Sequence, residues 1–165
     1  LAGHEPVELA APPLQLKIRS GTLGPRIEPA EAALRRGHTI ELMNATDARH
    51  VVSMPAEDAV HGLDPGAVVQ ISLAQPGPHR IYLLDVASAE SLVFAAPGRF
   101  TVPRPTGEYA LADLAPGAAR VHVWHPRFPP SSSAVELRAD TITPLDLVLG
   151  VGLGGPRTDS TGAGR

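Results

Sequence analysis

GEYALADLAPGAARVHVWHP, residues 107–126, is the stretch whose reading decides the fold. Tyr109 and Leu111 alternate with small or polar neighbours at the period of a β-strand. Pro116-Gly117 is a turn dipeptide, proline presetting one central φ and glycine accepting a positive φ at the next. Val121, Val123 and His125 then fall on one face and Arg120, His122 and Trp124 on the other. The stretch predicts strand, tight turn, strand, and contains no evident catalytic device.

Working outward, the same pattern recurs. Leu14, Leu16 and Ile18 alternate with Gln15, Lys17 and Arg19 as a half-buried strand, and residues 21–29 read as loop. Residues 30–36 suit a helical turn or a strand, and their shortness favours strand. Thr39, Glu41 and Met43 oppose Ile40 and Leu42. Further strands are predicted at 51–54, 67–73, 79–84, 91–95, 134–138 and 142–149, with 55–65 a loop and Pro129-Pro130 and Ser131 to Ser133 another. No segment sustains helical periodicity. The expected class is all-β, a β-sandwich, in four parts: an extension over 1–13, a first half over 14–96, a second over 97–149, and a Gly-rich tail over 150–165.

Composition narrows the function. The 165 residues carry a net charge of −3, which argues against a basic nucleic-acid-binding face. Lys17 is the sole lysine. There is no cysteine, so disulfides, thiol catalysis and thiolate-bound copper are excluded. Aromatics are 4% of the chain, so a core must come from Val, Leu, Ile and Ala. No apolar run reaches the roughly 18 residues that span a bilayer. The sequence starts at Leu1 without Met, which suits an exported chain whose leader has been removed. Asn44-Ala45-Thr46 has the N-glycosylation pattern.

Two stretches carry a resemblance. Arg36 to Leu42 followed by Asn44-Ala45-Thr46-Asp47-Ala48-Arg49-His50 resembles the cupredoxin pattern of a strand and N-x-x-D-x-x-H, whose histidine is the first copper ligand. Phe100-Thr101-Val102, Gly107 to Leu111, Asp113 to Gly117 and Val123-Trp124-His125-Pro126 resemble the carboxypeptidase-regulatory-like module, a small transthyretin-like β-sandwich. This tandem order is similar to exported bacterial proteins related to methylamine-utilisation accessory proteins. A copper-binding relative would add a Cys, a second His and usually a Met near the end of the first half. Here that region reads Arg80-Ile81-Tyr82-Leu83-Leu84-Asp85-Val86-Ala87, with leucine or valine expected in place of the thiolate and imidazole. The resemblance therefore implies a scaffold that has kept its fold and lost its metal.

Seven histidines invite a metal reading, but a site needs three or four converging donors. His122 and His125 point to opposite faces of a regular strand and need a bulge to act together. His50 and Met54, with His61 or His79, form the alternative copper set. Trp124 suits either inter-sheet packing or a recognition anchor, and with His125 is the expected partner-binding position of the second half. Gly150-Val151-Gly152-Leu153-Gly154-Gly155 matches G-x-G-x-x-G, but Pro156 follows where a dinucleotide fold starts a helix. Gly150, Gly152 and Gly155 instead let a tail lie close against another surface. No G-x-S-x-G, H-E-x-x-H or P-loop is present. The expectation is a non-catalytic, periplasmic or extracellular accessory subunit with no cofactor, binding protein subunits of an envelope assembly of electron-transfer or photosynthetic type. The alternative is a copper-binding or electron-transfer module centred on His50.

Overall fold

The computed structural model describes residues 12–150. The chain divides into two compact units, Leu1–Leu111 and Ala112–Arg165.

The first unit is a β-sandwich. Strands β1 (Leu14–Arg19), β2 (Arg26–Glu28), β3 (Glu31–Arg35), β4 (Thr39–Asn44) and β5 (His50–Met54) are followed by a 3-10 turn at Pro55–Glu57. Then come β6 (Ala59–Leu63), β7 (Val68–Ser72), β8 (Gly77–Leu83) and β9 (Glu90–Ala96). One sheet has the order β2-β1-β4-β7 and the other β3-β9-β8-β5-β6. β1 runs parallel to β4 and β3 parallel to β9; the other ladders of the unit are antiparallel.

Side-chain alternation explains why these sheets stack. In β4, Ile40, Leu42 and Asn44 are buried while Thr39, Glu41 and Met43 are half-buried. In β5, His50, Val52 and Met54 face inward. Leu16, Ile18, Ile27, Ile40, Leu42 and Ile71 from one sheet meet Leu34, Val52, Met54, Leu63, Ile81, Leu83 and Val93 from the other in one apolar cluster. This aliphatic layer is the core expected of so aromatic-poor a chain, and its burial is the main force holding the sheets together.

The segments read as loops contain more strand than their composition suggested. β2 lies inside 21–29, and β6 inside 55–65 beside the 3-10 turn. β6 forms because Val51, Val52 and Ser53 already present a ladder edge on which Gly62, His61 and Val60 pair. Tertiary pairing overrides weak local propensity here.

The second unit departs most from expectation. Its described strands are β10 (Gly117–His125) and β11 (Phe128–Leu137), an antiparallel hairpin. Residues 107–112 form no strand, so the strand–turn–strand reading of 107–126 holds only for its second half. The partner of β10 is downstream, at Phe128–Leu137, and not upstream at Tyr109 and Leu111. A two-position apolar alternation offers little ladder against a ten-residue partner. Pro129 and Pro130, read as loop, lie within β11 where its register is interrupted between Phe128 and Ser131. That is the place where missing N–H donors cost least. Residues 142–149 join no sheet, although Thr143, Leu145, Leu147 and Leu149 remain half-buried between exposed neighbours; Pro144 removes one donor from any ladder there. Among its described residues the unit buries no side chain. The expected sandwich of the second half is thus a hairpin in the described residues.

Candidate functional site

Strand parity places a polar cluster at one end of the sandwich. Asn44 closes β4 on its inward face and is fully buried. Its Nδ2 donates to the carbonyls of Ala48, at 2.8 Å, and Leu63, at 2.9 Å. Its Oδ1 accepts from Thr46 N–H at 3.0 Å and from the Thr46 hydroxyl at 2.8 Å. These bonds shape the 44–48 turn so that Thr46 meets the first residue of β5, His50. A buried amide so fully used is not available for glycosylation in the folded chain, whatever its sequence pattern.

Both nitrogens of the His50 ring are engaged. Nδ1 is 2.7 Å from Asp85 Oδ2 and Nε2 is 2.9 Å from Thr46 Oγ1. The second carboxylate oxygen, Asp85 Oδ1, accepts from Val51 N–H at 3.1 Å. Because a carboxylate only accepts, His50 Nδ1 carries the hydrogen in that contact. A neutral ring then receives the Thr46 hydroxyl at Nε2. A ring with hydrogens on both nitrogens donates to Thr46 Oγ1, which leaves the single hydroxyl hydrogen free to be donated to Asn44 Oδ1. In either form no lone pair of His50 is left uncommitted.

Burial, the largest single influence on the Asp85 carboxyl, pushes its pKa up. The bonds from Val51 N–H and His50 outweigh it, and the net direction is down from the ordinary value of 3.8. Asp85 thus stands as a carboxylate facing an imidazole that is 3% exposed, while its own side chain is 37% exposed.

Asp85 is the functional residue that the sequence reading missed. Leucine or valine was expected opposite His50, but the inward face of β8 runs Ile81, Leu83 and, two residues past the strand, Asp85. Counting by two from Ile81 was the signal that could have found it.

The other candidate ligands do not join His50. Met54 shares its face but lies four residues along β5, about 13 Å away at strand rise, and is buried in the core. His61 pairs across the ladder with Val52, not His50. His79 begins the inward face of β8, about 20 Å from Asp85 at strand rise. There its Nε2–H donates to the Gln75 carbonyl at 2.8 Å, and its Nδ1 lies 3.1 Å from Glu57 Oε1. Neither of those last two atoms has a well-directed hydrogen bond. Among the described residues no three His, Asp or Glu side chains gather around a common point. The donor set does not fit copper: one imidazole with both nitrogens bonded, one distant thioether and no thiolate.

In the second unit a register shift between Val123 and His125 supplies a bulge. It leaves Trp124 and His125 both half-buried. His125 packs against Phe128 with ring centroids 4.9 Å apart and the planes tilted by 39°, and it accepts from Arg127 N–H at 3.1 Å. Gly150 is exposed, and Gly152 and Gly155 lie outside the described residues.

No family model matches the chain, and no curated protein matches it. Among solved structures it is similar to a purple cupredoxin from Nitrosopumilus maritimus, at 16% identity over 50% of this chain and 99% of that one, TM-score 0.44. It is also similar to an oxidised mutant of amicyanin, at 15% identity over 53% and 86%, TM-score 0.43. A copper-containing nitrite reductase from Thermus scotoductus SA-01 matches at 17% identity over 58% of this chain and 26% of that one, TM-score 0.46.

No helix among the described residues is long and apolar enough to cross a membrane.

Proposed function

We propose that this chain is a non-catalytic, exported accessory subunit that acts through its surfaces, binding protein partners in an envelope assembly of electron-transfer type. The observation that carries the reading is the closed state of His50. The one histidine placed like a cupredoxin's first ligand spends both nitrogens on Asp85 and Thr46. The sandwich is thereby stitched by a hydrogen-bonded pair at the position where an electron-transfer relative would hold an ion.

The same cluster supports the absence of catalysis. Thr46, His50 and Asp85 follow the contact order of a hydroxyl–imidazole–carboxylate triad. Their burial runs the wrong way. Thr46 is 9% exposed and its hydroxyl is shared with Asn44, whereas the carboxylate is the accessible member. A nucleophile must reach substrate, and this one faces the protein.

Partner binding draws support from the second unit. An isolated two-stranded hairpin is marginal in water. The half-buried row Ala119, Val121, Val123 and Val135 in β10 and β11 suits an occupied surface, with Trp124 and His125 beside it. Residues 97–149 read as a regulatory-like module within this proposal, reduced to the single hairpin β10–β11. Export is taken from the resemblance alone.

Gentle purification of the native protein tests the reading. Reproducible co-elution with envelope proteins is expected, together with metal content far below one ion per chain. A chain that elutes alone at every salt concentration, or that holds one copper lost in His50→Ala, overturns it.

A further inference from the structure

At a corner of the sandwich, β1, β2 and the loop entering β9 enclose a groove of about 750 Å³, whose lining does not include His50, Thr46 or Asp85. That volume lies in the range of small-ligand sites. Five charged side chains line it: Lys17, Arg19, Arg26, Glu28 and Glu90. Their pairing is uneven. Glu28 is held by Arg19 at 3.3 Å and by Arg26 at 2.6 Å. Glu90 is held by Arg80 at 2.7 Å. Lys17 sits directly across the β1–β2 ladder from Glu28, the position from which a cross-strand ion pair forms, yet Glu28 turns to the two arginines.

Among the described residues Lys17 therefore has no ion-pair partner, and it is half-buried. A half-buried lysine lays its alkyl stem along the wall and leaves its ammonium free to meet an anion in the groove. Every acid on the groove is already neutralised, so the groove carries an unspent positive charge in a chain whose net charge is −3. Pro29, Ala30 and Ala89 give the remaining wall an apolar character. Ser88, also on the wall, holds a left-handed backbone at φ 64. The other non-glycine residues with positive φ are the aspartates Asp58, Asp113 and Asp140, which tolerate it better than serine. Strained conformations of this kind cluster at ligand clamps.

We infer that this groove binds a small organic anion, its carboxylate or phosphate group paired with Lys17 and its apolar body laid along Pro29, Ala30 and Ala89. The site goes beyond the accessory role proposed above and does not depend on it. Its specificity would come from the Lys17 ammonium and one apolar wall, with the Arg19–Glu28–Arg26 cluster, one positive charge in excess, adding to the attraction for an anion.

The sole lysine makes the test clean. Amine acylation of the folded full chain is followed by mass mapping of the Lys17 peptide in the presence of benzoate, phenyl phosphate or benzylamine. One or both anions are expected to protect Lys17 in a saturable way, by about tenfold when present at about ten times the dissociation constant, and benzylamine is expected not to. Whichever anion protects at lower concentration assigns the headgroup. In the wild-type protein the same anion shifts the backbone amide signals of Gln15, Ser88 and Glu90, a reading that needs no variant. Lys17→Met and the groove-filling Ala30→Trp abolish those shifts, while Lys17→Arg keeps them. Protection that fails to saturate with either anion, equal protection by benzylamine, or unchanged shifts in Ala30→Trp overturns the assignment.

Discussion

Asp85 Oδ2 lies 2.7 Å from His50 Nδ1 although the two residues stand 35 positions apart. The contact joins the start of β5 to the loop that follows β8, and the same carboxylate also takes the Val51 N–H. One side chain thus fixes the angle of the imidazole and extends the β5–β8 ladder past its last backbone pair.

This arrangement makes stability depend on acid. Asp85 has a lower pKa folded than unfolded, so the unfolded chain binds the proton more readily. The contribution is complete above the unfolded value near 3.8 and is lost as pH falls through the folded value. Asp85→Asn should flatten the acid limb of a melting-temperature profile between about pH 5 and pH 2 and leave the profile above it parallel to wild type. An unchanged acid limb would remove the carboxylate from the account.

Thr46→Val keeps the shape of the side chain and deletes the hydroxyl shared by His50, Asn44 and Ala48. One buried acceptor loses its donor and the other partners lose theirs, so the expected loss is about 1–3 kcal/mol in urea unfolding, with the m-value unchanged.

Glu57 and His79 meet at 3.1 Å with neither atom well bonded. When the ring is neutral, with its hydrogen on the nitrogen facing Gln75, two lone-pair acceptors oppose each other. Glu57→Gln brings an N–H to that contact and should stabilise the chain with the neutral ring by about 1 kcal/mol. Glu57→Ala should not. Thermal melts of the two variants side by side make the comparison.

Leu42→Ala empties the centre of the inter-sheet layer, where Leu42 is fully buried. A loss of about 2–5 kcal/mol is expected from lost burial and the cavity left behind. Val121→Ala in the hairpin, half-buried at most, should cost well under about 1 kcal/mol in the chain alone. The same change should weaken co-elution with a partner if that face is covered in the assembly.

Much of the first unit was legible in the sequence, because period-two alternation over Leu14–Arg19, Thr39–Asn44 and Val68–Ser72 is a direct image of one buried and one wet sheet face. β2 and β6 were not, since three to five residues rich in Glu, Gly or His carry no periodicity and are strands only because a neighbour offers hydrogen bonds. The hairpin failed differently. Turn chemistry at Pro116-Gly117 suggested local closure, but Gly117 opens β10 and pairs with Leu137. At the site, His50 was found from a resemblance, while Asp85 was hidden. The expectation of a lost thiolate drew attention to what was missing from residues 80–87 rather than to the face on which each residue falls.

The path of the chain through the sandwich has a kinetic consequence. After β2 it leaves its sheet, lays down β3 in the other, and returns to place β4 beside β1. β3 then waits for β9, and the Ser91 hydroxyl reaches back 62 positions to the Pro29 carbonyl. The sheet that holds β3 cannot be completed until β9 arrives, so a large loop-entropy cost precedes much of the reward. Refolding should therefore be slow for the chain's size, in milliseconds to seconds, and amide protection in β1 and β9 should rise together as a single phase.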